Sequence, residues 1–371
     1  MVKEKQTVND KELKKLVDQY LFKDAEKSVG GAFKTPRYET GIIKLDLLLN
    51  GGLPQGRAIA VGAEPGVGKT TLLIQACAHI AEKYEKKVYY LDVEGGASVE
   101  LWDSMGFLYL IYHPKDNPEG PIKLLDVSTI QDIARIIKQV TKDPDTAVIV
   151  IDSDTNVTDQ LDIDDEVLGT GKNAAGGNAR MWSKVSRPLS AVIKGSNACL
   201  VVIHQARVNL SGWMPKIEAA GGNALKHLVS AEVWGKRKAW IGEGNVWVKK
   251  RSEAIGAYVQ LTTEKNRLTK PFATVEIPIL FGVGVSNKWA YKDWLETHSI
   301  EVKSTGELVP ILNKQGAGYY TLTLPSGEYK CRGDEDMWEL INTHLDEIIT
   351  FVKNNGGFEV AYLSDSSEDE E

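Results

Sequence analysis

The sequence predicts an α/β fold built on a mostly parallel sheet, because apolar strands and amphipathic helices alternate along it. Continuous apolar runs that end in polar residues occur at 87–94, 147–153 and 198–205, and a run with helical spacing occupies 130–140. Uniformly apolar strands that alternate with helices are typical of a parallel sheet covered on both faces. Such sheets bind ligands at the carboxyl ends of their strands, so the polar residues there are expected to converge.

A glycine-rich loop, AEPGVGKTT, lies between an apolar strand and an amphipathic helix. Gly66 and Gly68 allow backbone N–H groups to turn toward phosphate oxygens, and the helix that follows adds the partial positive charge of its N-terminus. Lys69 is expected to reach the β- and γ-phosphates, and the Thr70 hydroxyl is expected to ligate Mg²⁺. The residues predicted to bind nucleotide in this loop are Ala63, Glu64, Pro65, Gly66, Val67, Gly68, Lys69, Thr70 and Thr71.

Polar side chains end the neighbouring strands. Asp152 closes an apolar strand and is predicted to hold Mg²⁺, directly or through water. Glu94 is the predicted base for the attacking water, because hydrolysis needs a carboxylate that the metal does not use, whereas strand alternation points Asp92 to the opposite face. Gln205 is placed to contact the γ-phosphate and to pass nucleotide state to the next loop. A hydrogen-bonded residue at a strand end is the alternative reading of Gln205.

Two long segments at the same edge of the sheet, about 161–177 and 206–222, are predicted to bind DNA. Loops of this length inside a compact domain are usually functional or disordered. Arginines and glycine N–H groups around one opening suit a phosphate backbone that is read without sequence preference. The aromatic and thioether side chains at the tip of the second segment either wedge between bases or pack locally. The predicted DNA-binding residues are Arg180, Ser183, Arg187, Arg207, Trp213, Met214, Gly221, Gly222 and Asn223.

Composition and charge limit the class of protein. The 371 residues are 42% hydrophobic and 26% charged, as in ordinary globular proteins, and no apolar run has the length of a membrane span. Three cysteines in apolar surroundings suit a reducing cytosol. The net charge of −7 argues at first against a nucleic-acid partner, but the tail 364–371 contributes five negative charges. The rest of the chain is nearly balanced and can carry a local basic path.

The chain is predicted to have four parts. Residues 1–35 contain an amphipathic helix that packs either on its own domain or on a neighbouring subunit, and 36–284 form the core. Residues 285–355 form a small α+β domain with a hairpin and a helix over 334–352. Residues 356–371 are predicted to be disordered, because an acidic tail cannot bury apolar surface.

The sequence resembles the RecA recombinase family over about 35–350. The resemblance lies in AEPGVGKTT, in LDVE and VIVIDS, and in VVIHQAR with GGNALK, while EKNR at 264–267 is similar to the phage branch typified by UvsX. It implies a RecA-like ATPase core that uses ATP and Mg²⁺ and forms filaments on single-stranded DNA. It also implies pairing with homologous double-stranded DNA, strand exchange, single-strand-binding and mediator proteins as partners, and a cytoplasmic location.

The resemblance implies further residue roles. Lys265 and Arg267 match the basic pair that reaches the γ-phosphate of the neighbouring subunit, as an arginine finger does. Glu94 matches the catalytic glutamate, and Gln205 matches the ATP-sensing glutamine. Leu101 stands where the family has a tyrosine that stacks on adenine, which is a departure from the pattern. The predicted catalytic set is Glu94, Lys69, Gln205, Lys265 and Arg267.

Two other functions fit part of this pattern. A ring-forming motor such as a replicative helicase uses the same core, but the N-terminal helix, GGNALK and the small C-terminal domain favour the recombinase. A filament-forming DNA scaffold that binds nucleotide and barely hydrolyses it is the second alternative. Glu94 argues for turnover against that scaffold.

Overall fold

The computed structural model describes residues 35–159, 177–209, 216–219, 222–243, 247–302, 306–358 and 361–362. The chain divides into two compact units, Met1–Arg37 and Tyr38–Glu371. The predicted N-terminal helix and the acidic residues after 362 lie outside the described residues.

The strands are short at both ends of the chain and longest in its middle. In chain order they are β1 (Arg37–Tyr38), β2 (Leu53–Pro54), β3 (Arg57–Ala63), β4 (Lys87–Asp92), β5 (Ile122–Asp126), β6 (Thr146–Asp152), β7 (Cys199–Asn209), β8 (Lys216–Ala219), β9 (Ala231–Ile241), β10 (Trp247–Val248), β11 (Gly256–Asn266), β12 (Ala273–Leu280), β13 (Gly284–Val285), β14 (Ser299–Val302), β15 (Glu307–Pro310), β16 (Leu312–Gln315), β17 (Tyr319–Leu324), β18 (Gly327–Arg332) and β19 (Ala361–Tyr362).

The helices alternate with the strands through the first two thirds of the chain. They are α1 (Ile43–Leu48), α2 (Lys69–Tyr84), α3 (Val99–Ser104), α4 (Ile130–Val140), α5 (Gly177–Lys194), α6 (Gly222–Leu228), α7 (Lys288–Thr297), α8 (Asp334–Thr343) and α9 (Leu345–Asn354). Among the described residues, no helix has the length and apolar character needed to cross a membrane.

One large sheet organises the molecule. Its main path runs β13-β12-β11-β9-β3-β7-β6-β4-β5, and β8, β10 and β19 pair at its margins. The strands from β9 through β3 to β5 are parallel, whereas β11, β12 and β13 continue the sheet in antiparallel fashion beyond β9. The predicted α/β fold with its parallel sheet is confirmed, and the antiparallel wing adds strands whose direction the sequence did not indicate.

The two faces of the sheet are covered by separate apolar cores. Ile59 and Val61 of β3 face a core that includes α2, whereas Ala58 and Ala60 face a second core with α4 and α5. Burial on both faces explains why the central strands are apolar throughout and do not alternate with polar residues.

A third apolar cluster lies in the C-terminal part, where α7, α8 and α9 pack against the β16–β18 sheet. The prediction of a single helix over 334–352 is wrong. The helix is interrupted at His344, which separates α8 from α9. The residues at the break, Asn-Thr-His, have weak helix propensity, and the His344 ring lies 4.0 Å from the Tyr329 ring, measured between centroids. The break leaves Ile341 and Ile348 both buried in the same cluster.

The prediction that 356–371 are disordered needs a second correction. Residues 361–362 form β19, which pairs antiparallel with β12, and the carbonyl of Gly357 accepts a hydrogen bond of 2.8 Å from Trp294 Nε1. Backbone pairing at a sheet margin gives Ala361 and Tyr362 regular structure.

Asn287 joins the start of α7 to the segment before α1. Its Oδ1 accepts a hydrogen bond from the N–H of Ile43 at 3.0 Å, and its Nδ2 donates to the carbonyl of Gly41 at 2.7 Å. An ion pair between Lys44 and Asp293 lies beside these bonds. One amide therefore satisfies two backbone groups at this junction.

Replacement of Asn287 by alanine is expected to lower the free energy of unfolding by about 1–3 kcal/mol, because two partly buried backbone groups lose their partner. Urea denaturation followed by circular dichroism measures the change. Asn354→Ala, at the exposed end of α9, is the matched control and is expected to stay within about 0.5 kcal/mol of the parent. Equal stabilities for the two variants would contradict the role given to Asn287.

Candidate nucleotide-binding site

The glycine-rich loop connects β3 to α2 in a compact turn. Gly66 and Gly68 have φ angles of 73° and 97°, and Gly68 immediately precedes α2. A Cβ atom on Gly68 would also lie 2.8 Å from Ile279, so both backbone conformation and packing require glycine there. Lys69 Nζ donates to the carbonyls of Ala63 at 2.9 Å and Glu64 at 3.1 Å. The lysine thus closes over the loop that it is predicted to serve.

The Asp152 carboxylate lies next to the start of α2. Its Oδ2 accepts hydrogen bonds from Thr70 Oγ1 at 2.9 Å and from the Tyr90 hydroxyl at 2.7 Å. Burial raises the pKa of Asp152 to about 6, and these two hydrogen bonds oppose that rise. Burial also lowers the pKa of Lys69, which nearby carboxylates oppose. The Thr70 hydroxyl and the Asp152 carboxylate are oxygen donors of the kind that Mg²⁺ prefers, so this pair fits the ion.

Glu94, Gln205 and Ser153 form a hydrogen-bonded group at the ends of three neighbouring strands. Gln205 Nε2 donates to Oε1 of Glu94 at 2.8 Å and to Oε2 at 2.6 Å, and the Ser153 hydroxyl donates to Oε1 as well. The carboxylate predicted to be the base is therefore directly bonded to the amide predicted to be the sensor.

Asp92 has a role that the sequence reading missed. Its Oδ1 accepts the N–H groups of Glu94 at 3.2 Å, Gly95 at 2.9 Å and Gly96 at 3.2 Å, and its Oδ2 accepts the N–H of Ala97 at 2.9 Å. Asp92 and Glu94 have different partners, but strand alternation is not the reason, because residues two apart on a strand share a face. β4 ends at Asp92, and Glu94 lies in the turn that follows. An acid followed two residues later by Glu-Gly-Gly was the available signal, because such a turn leaves several N–H groups without strand partners.

The register of the sheet brings these side chains together. Asp92 of β4 lies beside Asp152 of β6, and Ala63 of β3 lies beside Gln205 of β7. All four residues are therefore at the carboxyl edge of the parallel strands, next to the glycine-rich loop. Tyr90, whose hydroxyl reaches Asp152 from within β4, is a further residue at the site that the sequence reading missed.

Lys265 and Arg267 do not join this group. Lys265 pairs across the sheet with Glu232, which lies beside Ala60, and the N–H of Arg267 bonds to the carbonyl of Ser230. Ser230 is in turn bonded to Ala58, five residues before the loop begins at Ala63, which is roughly 17 Å along a strand. The basic pair is thus at the opposite edge of the sheet from the phosphate loop of its own chain.

Lys265 has partners of its own at that edge. Its Nζ donates to the carbonyl of Val229 at 2.9 Å and to the carbonyl of Lys226, at the C-terminal end of α6. Burial lowers the pKa of Lys265, and the neighbouring charge of Arg267 adds to the effect. Arg267 itself is exposed.

The residues predicted to bind DNA are only partly within the described chain. Arg180, Ser183 and Arg187 lie on the exposed face of α5, whose opposite face buries Trp182. Lys184 is exposed on the same helix and adds a positive charge that the sequence reading did not single out. Gly222 and Asn223 begin α6. Three further candidates lie outside the described residues, namely Trp213, Met214 and Gly221.

The second long segment is not a continuous loop. β7 extends to Asn209 and pairs antiparallel with β8, so that Arg207 lies opposite Glu218. This corrects the prediction of a long loop over 206–222, because residues 206–209 and 216–219 are strands. The hairpin gives the backbone groups of both arms hydrogen-bond partners beyond the edge of the main sheet.

Trp102 does not replace the adenine-stacking tyrosine that is missing at Leu101. Trp102, the neighbour of Leu101, is fully buried and packs edge-on against Tyr90 with ring centroids 5.8 Å apart. Its indole is part of the core and has no face open to a base.

A glycine-rich loop before a helix, a lysine at its end and a threonine–aspartate pair beside it define the class of phosphate-loop ATPases. A family model described as the RecA N-terminal domain matches residues 25–286. The chain belongs to the RecA family, whose members are ATP-dependent DNA recombinases with DNA-dependent ATPase activity.

Several known proteins are similar to this chain. The chain is similar to Protein RecA of Delftia acidovorans, with 29% identity over 282 residues that cover 76% of this chain and 68% of the relative. It is similar to Protein RecA of Bordetella pertussis, with 28% identity over 325 residues that cover 86% and 81%. The crystal structure of the RadB recombinase matches with 21% identity and a TM-score of 0.48, over 67% of this chain and 98% of that chain.

Asp92→Asn is expected to lower the free energy of unfolding by about 1–3 kcal/mol, because an amide cannot accept all four N–H groups without opposing one of them. It is also expected to lower kcat for ATP by about 10- to 100-fold, because Glu94 follows in the same turn and loses its position. Urea denaturation and steady-state ATPase assays measure the two effects.

Asp126→Asn is the control, since Asp126 ends β5 beside Asp92 in register and is exposed. Parental stability and kcat are expected for it. An Asp92→Asn protein that behaves like the Asp126→Asn protein would show that the turn does not need the carboxylate.

Proposed function

We propose that this chain forms helical filaments on single-stranded DNA in the presence of ATP and Mg²⁺, and that the filament pairs homologous double-stranded DNA and exchanges strands. The observation that carries the proposal is the direct bond between Glu94 and Gln205. This bond links the hydrolytic edge of the sheet to β7, whose far end enters the second segment predicted to bind DNA. The finer assignment to the UvsX-like phage branch rests on the EKNR run alone.

Nucleotide binding uses the residues around the glycine-rich loop. Lys69 exchanges the carbonyl oxygens of Ala63 and Glu64 for phosphate oxygens, while the loop N–H groups and the N-terminus of α2 contribute further donors. Thr70 and Asp152 are the residues that would hold Mg²⁺, which neutralises phosphate charge when bound. The hydrogen bond from Tyr90 keeps the Asp152 carboxylate in place for that role.

Hydrolysis depends on freeing the Glu94 carboxylate. Gln205 Nε2 donates to both oxygens of this carboxylate and the Ser153 hydroxyl donates to one of them, so a water molecule has to compete with these donors. When Gln205 turns to the γ-phosphate, Glu94 can orient the attacking water and accept its proton. The same movement of Gln205 shifts the residues that follow it in β7, and this shift couples nucleotide state to DNA binding.

Lys265 and Arg267 serve the nucleotide of a neighbouring subunit. Their position at the opposite edge of the sheet puts the phosphate loop of the same chain out of their reach. An arginine or lysine that completes the site of the next subunit in this way stabilises charge on the transferring phosphoryl group. A head-to-tail contact of this kind generates an open helical filament or a ring, depending on its rotation.

DNA is bound by the exposed basic face of α5 and by the segments on either side of it. Arg180, Lys184 and Arg187 offer charges that suit a phosphate backbone. Gly222 and Asn223 lie in the first turn of α6, whose N–H groups are not used within the helix. Single-strand-binding and mediator proteins complete the set of proposed partners, and the proposed location is cytoplasmic.

The first test is ATP hydrolysis with and without single-stranded DNA, with electron microscopy of the same samples. Strong stimulation by DNA together with helical filaments is the expected result. Rings that track along DNA would favour a motor, and filaments without turnover would favour a scaffold. No response to DNA would contradict the proposed roles of both long segments.

A mixing experiment tests the contribution of the neighbouring subunit. Glu94→Gln is expected to lose hydrolysis by about 10²- to 10⁴-fold, and Arg267→Ala is expected to lose it because the neighbour's phosphate lacks a cation. In an equimolar mixture about a quarter of the interfaces combine an intact Glu94 with an intact Arg267, so activity should return to about that fraction of the parental rate.

Lys270→Ala, another change of an exposed cation in the same turn, is the control and should not need a partner variant to be active. A mixture that stays as inactive as its two components would place Arg267 in the site of its own chain.

A further inference from the structure

Residues 203–205, in the middle of β7, face two different sides of the sheet. Ile203 belongs to the core that contains α2, and Gln205, two residues later, donates to Glu94 on that side. His204 lies between them and faces the other side, as Val202 does, because strand residues alternate. Gln205 therefore cannot move along or out of the sheet without moving His204.

His204 is buried together with a carboxylate. Both His204 and Asp154 have no exposed surface, and His204 Nδ1 lies 2.9 Å from Asp154 Oδ2. The N–H of Asp154 also donates to the carbonyl of Ile203 at 3.0 Å. The aspartate thus contacts β7 through its backbone at Ile203 and through its side chain at His204, within two residues of Gln205 in both cases.

Three consecutive residues bind three different parts of the site. Asp152 accepts the hydroxyl of Thr70 at the start of α2, Ser153 donates to Glu94, and Asp154 contacts β7. The tripeptide therefore links the phosphate-loop helix, the predicted base and the strand that carries the predicted sensor.

The neighbouring strands leave little free space beside His204. Gly62 of β3 lies in register between His204 and Trp234. A Cβ atom on Gly62 would lie 2.8 Å from the Trp234 ring, so the indole occupies the space above the glycine. Trp234 is itself held by a hydrogen bond of 2.9 Å from its Nε1 to the buried carboxylate of Glu232. The space next to His204 is thus filled by the Trp234 indole, and a hydrogen bond fixes the orientation of that indole.

A gain in folding stability does not explain why Asp154 and His204 are buried together. Burial of an imidazole and a carboxylate removes both from water, and well-packed apolar residues of similar size are often equally stable or more so in such places. The pair lies one residue from Ser153 on one strand and one residue from Gln205 on the other, and both of those residues bind Glu94. This location indicates that the pair positions the residues that bind Glu94.

We propose that Asp154 and His204 form a positioning pair for Gln205. The pair holds the middle of β7 against the 152–154 segment, so that the Gln205 side chain exchanges Glu94 for bound nucleotide while the strand keeps its register. The inference rests on the proposed function, because it takes Gln205 as the group that passes nucleotide state to the DNA-binding segment.

The test replaces the pair by apolar residues, Asp154→Val with His204→Leu, so that no buried charge loses its partner. Parental unfolding behaviour and an ATP affinity within about twofold of the parent are expected, since neither residue touches the phosphate loop. The DNA-stimulated kcat is expected to fall about tenfold or more with KM unchanged, because Gln205 is no longer held in its working position. The ratio of kcat with and without single-stranded DNA is expected to fall as well.

Asp154→Asn is the conservative variant, since its amide oxygen can still face His204 Nδ1. It is expected to keep kcat within about threefold of the parent, and it keeps the proposal testable should the apolar double variant not fold. A tenfold loss in Asp154→Asn with parental stability, or parental kcat and DNA stimulation in the folded double variant, would overturn the positioning role.

The parental protein separates this inference from the proposed function. If the parent hydrolyses ATP with DNA stimulation and the double variant does the same, only the positioning role fails. If the parent shows no DNA stimulation at all, the proposed function and the inference that rests on it both fail.

Discussion

The Glu94 carboxylate is the charge around which the nucleotide edge of the sheet is arranged. A partly buried carboxylate needs hydrogen-bond donors, and here they come from two other strands, through Gln205 of β7 and through Ser153 just after β6. The turn that presents Glu94 is held in its own right by Asp92, which collects four backbone N–H groups. The two acids therefore have different roles, because Asp92 shapes the turn and Glu94 faces the site.

The antiparallel wing of the sheet explains why Lys265 lies away from the phosphate loop of its own chain. Because β11 runs against β9, its C-terminal end returns to the edge opposite the phosphate loop and carries Lys265 there. Lys265 then binds carbonyls at the C-terminal end of α6, where the helix dipole favours a cation. The ammonium group is thus already partnered within its own chain, and any phosphate from a neighbour has to compete with those carbonyls.

The sequence predicted the features that depend on residues close together in the chain. The glycine-rich loop, the apolar parallel strands and the acid at the end of β6 all follow from residue type and spacing, and the structure brings Lys69, Thr70 and Asp152 together accordingly. The break at His344 and the pairing of β19 with β12 depend on contacts between segments distant in sequence, which periodicity does not encode. The same holds for the Asp154–His204 contact, because it joins residues fifty positions apart.

Gly62 shows how the two faces of the sheet depend on each other. The residue precedes the phosphate loop, yet what requires glycine there is the Trp234 indole on the face opposite α2. A side chain at this position would displace the indole, and the indole is bonded to Glu232, whose cross-strand neighbour is Lys265. Packing on the face that carries α5 and α6 thus sets the course of β3 as it enters the loop. Nucleotide and DNA segments can therefore influence each other through the register of three strands, β9, β3 and β7, without any large movement of the sheet.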